Sequence, residues 1–361
     1  MPSLPGFAHR LRFRPRKPAP TRPVLSWALA LACMLAAVGA RADIDPTTVI
    51  RLRPSVVRVE AATTDGKLQM GSGVVIDKER VVTNCHVTRN AVNVAIVYGA
   101  ARTAVEGQSS DLPHDLCLLS APGLVAKPVP IAASKTLKQG QDVLALGYTG
   151  GFGLQASGGT IISLHRWSGS NVIQSTNSFT SGASGGGLFT VDGQLVGILT
   201  FRLRGGRAHY FAAPADWLIA QKDLKFTEIT PQSGLSFWEE SGDTQPRFLK
   251  AAALEFTRQW EALAQLAEQW VHDAADDPEA PYLLAVARES MNQLEPAVRA
   301  LLQSVEIDPD YSRSWMMLVR IYERTGRRLE AQHAMAMLNV RNPKLGQVLS
   351  DELQSGGRDS R

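Results

Sequence analysis

The chain has 361 residues, 44% hydrophobic and 20% charged, a length and balance that suit two folded domains and exclude a chain disordered throughout. The formal net charge of +4 sits at the N-terminus: seven of the 38 basic residues and none of the 34 acidic ones lie within residues 1–42, leaving 31 basic against 34 acidic residues in the remainder. Without a basic excess there, the folded part carries no nucleic-acid footprint.

Residues 1–42 read as a signal peptide. A basic stretch ends at Arg22, the apolar run VLSWALALACMLAAVGA spans Val24 to Ala40, and Ala40-Arg41-Ala42 puts small residues at both cleavage-determining positions. The expected mature chain starts near Asp43 and is periplasmic or secreted. The alternative is an uncleaved segment that anchors the chain, although the run is short of the ~20 residues a span requires. Membrane contact is expected only in that case.

Residues 43–228 are rich in short runs of Val, Ile, Thr and Gly: SVVRVEAA, GSGVVID, RVVTNCHV, NVAIVYG, DLCLLSA, DVLALGY, GTIISLH, NVIQST and QLVGILTF. Runs of this length between turn signals predict an all-β unit of many short strands. The one helical period in this region is PADWLIAQKDL, Pro214 to Leu224. Residues 229–246 are polar, aperiodic and dotted with Gly and Pro, and read as a linker.

From residue 247 to 345 the period becomes helical. Pro309 and Pro343 are 34 residues apart, as are Ala297 and Ala331, and Trp315, Leu318, Tyr322, Gly326, Ala331 and Pro343 fall at the spacings of the tetratricopeptide pattern. The preceding unit keeps Leu284, Ala285, Ala297 and Leu301 but has Pro281 opposite Trp315, and a degenerate helix pair with Trp260 and Trp270 comes first. The stretch resembles tetratricopeptide repeats; a generic helical bundle is the alternative. Repeats of this kind are expected to hold a protein partner or a second protomer rather than to catalyse. Residues 346–361 read as a polar tail.

The chemistry concentrates on Ser184, in Gly182-Ala183-Ser184-Gly185-Gly186. A nucleophilic serine needs a base within hydrogen-bond reach, a carboxylate that orients the base, and backbone N–H groups aimed at the developing oxyanion. Glycines around it permit unusual dihedrals and a close approach of substrate backbone. Upstream, VVTNCHV delivers His86 and HDLCLL delivers Asp115 at the head of an apolar strand. The order His, Asp, Ser matches one of the known triad arrangements, that of chymotrypsin. Asp111 is the rival acid; Asp115 is preferred because it runs directly into LCLL, whereas Asp111 precedes Pro113 in a loop. His114, His165, His209, His272 and His333 have no partners at ligand spacing, and no metal cluster or cofactor motif is legible.

Residues 50–222 resemble trypsin-like proteases of the HtrA/Deg type. The likeness is carried by GSGVVID followed by VVTNCHV, by HDLCLL, by Val143 to Ser163, by IQSTNSFTSGASGG and by YFAAPADWL. It implies a chymotrypsin-like double β-barrel, and with the tetratricopeptide-like stretch the chain is expected to be multidomain, the barrels followed by the α-helical tetratricopeptide-like repeats. It implies His86, Asp115 and Ser184 as base, orienting acid and nucleophile, with the Gly182 and Ser184 N–H groups as the oxyanion hole. Ser178 would floor the primary substrate pocket without a charge, and Thr200 and Phe201 would line a wall, favouring a small or medium apolar residue before the scissile bond. Ala183, Gly187 and Thr176 depart from the family's usual Asn, Pro and Asp, and no PDZ domain is recognisable. If His86 and Asp115 meet, Cys85 and Cys117 come near one another, because Cys117 shares a strand face with Asp115; export would let them form a disulfide. The alternative is two small buried thiols. The function expected is an exported serine endopeptidase acting on protein or peptide substrates. The competing expectation is an inactive protease-like binding protein whose repeats scaffold a cell-envelope complex.

Overall fold

Apolar residues follow one another directly in these strands, rather than alternating with polar ones, because both faces of many strands are covered. The computed structural model of the chain describes residues 45–150, 153–203, 210–221 and 225–356. The signal peptide expected over 1–42 lies outside them. Among the described residues, no helix is long and apolar enough to cross a membrane.

After a short helix α1 (Pro46–Leu52), seven strands form the first sheet: β1 (Val56–Thr63), β2 (Leu68–Asp77), β3 (Arg80–Thr83), β4 (Ala91–Tyr98), β5 (Ala101–Ala104), β6 (Gly107–Asp111) and β7 (Leu116–Ser120). A single helical turn, α2 (Cys85–Thr88), interrupts them after β3. The order is β5-β4-β1-β2-β3-β7-β6, antiparallel throughout. The edge strands β5 and β6 are consecutive in the chain, so a corner at Val105 and Glu106 rolls the sheet up: the Val105 N–H donates to Val94 O at 2.9 Å and the Glu106 N–H to Ser120 O at 2.9 Å. The second sheet is a closed barrel, β10-β13-β12-β11-β8-β9. Its strands are β8 (Asp142–Thr149), β9 (Gly153–Trp167), β10 (Ser170–Ser175), β11 (Gly187–Thr190), β12 (Leu195–Arg202) and β13 (Tyr210–Pro214). Helix α3 (Asp216–Gln221) follows. This is a chymotrypsin-like double-barrel arrangement.

Strand period two distributes the apolar residues over two faces. Val57, Val59, Val75, Val81 and Leu119 fill the first sheet's own core, and Val143, Ala145, Leu188, Val196 and Leu199 fill the barrel's. Their neighbours Val56, Val74, Val82, Leu118, Leu144, Leu146, Phe189 and Ile198 belong to one cluster that joins both sheets and continues into the helical region.

Seven helices follow among the described residues: α4 (Arg247–Phe256), α5 (Trp260–Asp273), α6 (Glu279–Ser290), α7 (Leu294–Ile307), α8 (Ser312–Arg324), α9 (Arg328–Arg341) and α10 (Pro343–Gly356). They pack as successive hairpins. Three of the turns share one geometry: Arg258, Asn292 and Gly326, 34 residues apart, have left-handed φ of 55°, 59° and 73°. The next residue's N–H in each case closes back on a carbonyl five residues earlier, Gln259 to Leu254, Gln293 to Arg288 and Arg327 to Tyr322, which is how a helix C-terminus satisfies its orphan carbonyls. The 34-residue period therefore extends over all three hairpins. Residues 346–356, expected to be a polar tail, are helical instead: Leu345, Leu349 and Leu353 stand four residues apart on one apolar stripe, and Leu349 is fully buried.

The helices are fastened to the second barrel. His165 of β9 reaches Glu279 through Nδ1 at 2.7 Å and Gln174 through Nε2 at 3.1 Å, and its ring stacks on Phe248 at 4.5 Å. No partner for His165 was legible at ligand spacing, because Glu279 is 114 residues away. The Arg313 N–H and Asn342 Nδ2 donate to Oε1 and O of Gln139, and Lys344 pairs with Asp142 at 2.5 Å.

Next to Glu279 lies Asp277, whose carboxyl is pushed up to about 6 by burial and by the charge of Glu279. The folded chain keeps this proton over a range where an unfolded Asp, ionising near 4, has lost it, so stability falls as pH rises from about 4 to about 6. Asp277→Asn should remove that loss: relative to wild type, the variant should gain roughly 2–3 kcal/mol between pH 4 and pH 7. Denaturant unfolding at both pH values measures it, and a pH-independent difference would reject the assignment.

A disulfide joins Cys85 and Cys117, 32 residues apart in sequence. The two meet because β3 pairs with β7 so that Thr83 is opposite Cys117, two residues before Cys85. Asp115, expected to share a strand face with Cys117, precedes the strand and has a left-handed φ of 58°, so that reasoning does not apply to it. Closing a loop of this length should contribute roughly 3–4 kcal/mol. Unreduced protein should take up no alkylating agent at either cysteine, and reduction should lower the urea midpoint; equal midpoints would contradict the contribution.

Candidate active site

His86, Asp115 and Ser184 reach one region from three elements. β3 ends at Thr83, and the buried Asn84 then fixes the start of α2: its Nδ2 donates to Asp115 O at 2.9 Å and to Thr200 Oγ1 at 3.2 Å. His86 sits on α2. Asp115 tops β7 in a left-handed conformation that Asp tolerates better than most residues. That conformation is secured by its N–H donating to Leu112 O at 3.0 Å and by its carbonyl accepting from the Cys85 N–H at 3.3 Å.

The Asp115 side chain is fully buried. Its Oδ1 accepts from the His86 N–H at 2.8 Å, and its Oδ2 lies 2.6 Å from His86 Nδ1 and accepts from Trp238 Nε1 at 2.9 Å. A buried carboxylate persists when its lone pairs are answered in this way. The contact places the imidazole proton on Nδ1 and leaves Nε2, which has no partner among the described residues, as the available base nitrogen. Asp111, the rival acid, is engaged elsewhere: it lies 2.6 Å from His114 Nδ1, and His114 Nε2 lies 2.8 Å from Ser168 Oγ.

Ser184 lies between β10 and β11, and β2 holds its loop. The Ser72 N–H donates to Ser184 O at 2.8 Å, Ser72 Oγ donates to Gly182 O at 2.7 Å, and the Tyr148 N–H donates to Ser72 Oγ at 2.8 Å. One glycine here serves the protein's own backbone rather than a substrate. Gly185 has φ +86°, and a Cβ on it would meet Ser72 O at 2.0 Å and Thr83 Oγ1 at 2.4 Å. Gly182, at φ +97°, keeps its N–H without an acceptor, as does Ser184, among the described residues. Ser184 Oγ donates to Thr200 O at 3.4 Å, and among the described residues it makes no hydrogen bond to His86.

The residues expected to line the substrate pocket are divided. Ser178 is exposed, its N–H donating to Ser157 Oγ at 3.0 Å. Thr200 does not offer its side chain to a pocket: it is buried, and Oγ1 donates to Ile198 O at 2.7 Å while accepting from Asn84 and from the Ala213 N–H. Phe201 is buried too, stacked on Phe211 at 4.7 Å and on Trp238 at 5.4 Å.

Trp238 belongs to the stretch expected to be a linker, residues 229–246. That stretch is instead strapped across the site. The Gln232 N–H donates to Arg89 O at 2.7 Å, Gln232 Nε2 to Ser110 Oγ at 2.7 Å, and the Phe237 N–H to Pro113 O at 2.9 Å. Arg89 donates to both carboxylate oxygens of Glu239, at 2.9 and 2.5 Å. Burial opposes ionisation of Glu239, but the hydrogen bonds from Arg89 and from the Ser236 N–H outweigh it and hold the carboxyl below its usual range. Sequence reasoning missed Trp238, Ser72 and Asn84. Ser72 and Asn84 lay inside recognised motifs; Phe237-Trp238, an aromatic pair in an otherwise polar stretch, was the available signal for the strap.

Among the described residues no group of His, Cys, Asp and Glu is arranged to hold a metal ion.

The trypsin-like peptidase domain family matches residues 71–198. The serine protease Rv3671c of Mycobacterium tuberculosis is 32% identical over 163 residues, 42% of this chain and 41% of that protein. The periplasmic pH-dependent serine endoprotease DegQ of Escherichia coli is 33% identical over 176 residues, 44% of this chain and 38% of that protein. The crystal structure of the Rv3671c protease in its active form superposes with a TM-score of 0.49 at 25% identity, covering 62% of this chain and 97% of that one. The chain thus spans less than half the length of these sequence relatives. It carries a trypsin-like serine protease domain, and its relatives include proteases of the HtrA/Deg type.

Proposed function

We propose that the chain is a serine endopeptidase in which Ser184 attacks a peptide carbonyl, His86 takes its proton through Nε2, and Asp115 holds the imidazole and stabilises the imidazolium. The observation that carries this reading is the 2.6 Å contact between His86 Nδ1 and the buried Asp115 carboxylate, with Nε2 unpartnered among the described residues. The tetrahedral oxyanion would be received by the Gly182 and Ser184 N–H groups, which have no other acceptor among the described residues. Collapse of that intermediate, with His86 returning the proton to the leaving amine, gives the acyl-enzyme, and water completes the cycle. Ser184 Oγ must turn from Thr200 O to His86 Nε2 for the first step; such contacts are often loose without substrate and tighten when it binds. An exposed, uncharged Ser178 supports a preference for small or medium apolar residues before the scissile bond.

Residues 247–345 are proposed to be tetratricopeptide-like repeats that hold a protein partner or a second protomer. The 34-residue recurrence of the left-handed turns supports this, as does a cavity of about 540 Å³ between β9 and the helices, lined by Tyr282, Arg313, Met316, Met317, Arg320 and Leu345 among others. Export to the periplasm is proposed from the character of residues 1–42 and from the periplasmic relatives.

A second reading, a protease-like binding protein without activity, rests on the Ser184 hydroxyl donating to Thr200 rather than to His86. A fluorophosphonate probe separates the two: an active enzyme is labelled on Ser184, and an inactive one is not. Ser184→Ala should reduce turnover of a casein-like substrate on the order of 10⁶-fold with the fold intact, and His86→Ala should be nearly as severe, because such residues act as a unit. Undiminished hydrolysis by Ser184→Ala would sink the assignment. Gly185→Ala should abolish labelling as well, since its Cβ collides with Ser72 O; normal labelling would remove β2 from the account of the serine loop.

A further inference from the structure

The Asp115 carboxylate has more donors than His86 supplies. Oδ1 accepts one N–H and Oδ2 faces two, and the second donor on Oδ2 is the indole of Trp238, 123 residues further along the chain. Nothing in the local sequence around Asp115 provides that donor. The carboxylate is fully buried, so without Trp238 the remaining lone pair of Oδ2 would have to be answered by solvent that cannot reach it.

The indole is held on several sides. Its ring lies against Phe201, 5.4 Å away and 12° from parallel, and stands edge-on to His86 at 5.4 Å and 82°. The residues beside it are locked: Phe237 is buried with its N–H on Pro113 O, the Ser236 N–H donates to Glu239 Oε2 at 2.9 Å, and Glu239 is gripped by Arg89, three residues after His86. The strap thus takes hold of both segments that carry the imidazole–carboxylate pair, at Arg89 beyond α2 and at Pro113 ahead of β7.

We infer that Trp238 is a positioning residue for the reaction proposed above: its Nε1–H fixes the Asp115 carboxylate, and through it the orientation and basicity of the His86 imidazole. The inference rests on that reading of the site. The indole shares the charge on Oδ2 that would otherwise go wholly to the imidazolium, so removing the donor makes the carboxylate a stronger acceptor and raises the pH at which His86 titrates. The other charged groups around the pair are Arg89 beyond α2, already neutralised by Glu239 of the strap, and the Asp111–His114 pair on the segment leading to β7. Thr200 and Phe201 of β12 bring no charge, and Cys85 and Cys117 are joined and do not titrate.

The test is Trp238→Phe in the full chain, which keeps an aromatic ring against Phe201 and His86 while deleting the donor together with part of the indole's bulk. Loss of a hydrogen bond to a charged group should lower kcat/KM about 10- to 100-fold, mostly in kcat. The acid limb of the pH profile should move to higher pH, a change that loosened packing alone would not produce. Should the Phe variant fold poorly, 3-benzothienylalanine at position 238 removes the N–H at nearly constant shape. An arm independent of turnover follows the His86 imidazole by NMR in the Ser184→Ala background, where deleting the indole donor should raise its titration midpoint. An unshifted midpoint together with kcat/KM within about twofold of wild type overturns the inference. So does a rate increase, which would make Trp238 a cover over the site. If the wild-type chain is neither labelled nor hydrolytic, the endopeptidase reading fails, and the NMR arm still decides whether the indole acts on His86.

Discussion

A carboxylate cut off from water must have its lone pairs met from inside the protein, and in this chain Asp115 imposes that demand. Two segments answer it. Helix α2 supplies a backbone N–H and an imidazole from His86, and the strap after the second barrel supplies an indole, while Asn84, between β3 and α2, holds the Asp115 main-chain carbonyl. The left-handed conformation of Asp115 turns the carboxylate toward these donors at the moment the chain enters β7, and the bond between Cys85 and Cys117 ties the two backbone segments together next to the imidazole.

The serine loop depends on a different constraint, the close approach of β2. Ser72 uses its N–H, its carbonyl and its hydroxyl at once: to the Ser184 carbonyl, to Thr83, and to Gly182 and Tyr148. Only a residue without Cβ at position 185 leaves room for this arrangement. The first sheet therefore shapes the loop of the second barrel on which Ser184 lies, and Asn84, which touches both Asp115 and Thr200, gives a second tie between the two halves.

The helical region is not a loosely tethered appendage. His165 and Glu279 meet in a buried contact, Phe248 and Phe237 share the apolar layer that runs between the sheets, and the segment joining barrel to helices crosses the candidate site on its way. Residues 229–246 are themselves pinned, at Arg89, Ser110 and Pro113, before the chain enters the helices.

The sequence by itself determined the elements that local pattern controls. Short apolar runs gave the strands, a 34-residue recurrence gave the helical hairpins, and His86, Asp115 and Ser184 stood out because each occupies a recognisable local run. It did not determine which donors complete the Asp115 carboxylate, since Trp238 lies in a polar, aperiodic stretch that is placed by backbone bonds from Gln232 and Phe237 to distant Arg89 and Pro113. Nor did it show that Thr200 turns its hydroxyl inward, that glycine at 185 accommodates β2, or that Leu345, Leu349 and Leu353 continue the helices past Pro343. Each of these depends on residues far apart in the chain meeting across a packed interface, and local propensity carries no information about which distant surface a segment will cover. Only the tertiary structure decided them, by bringing buried polar groups to the few partners able to satisfy them.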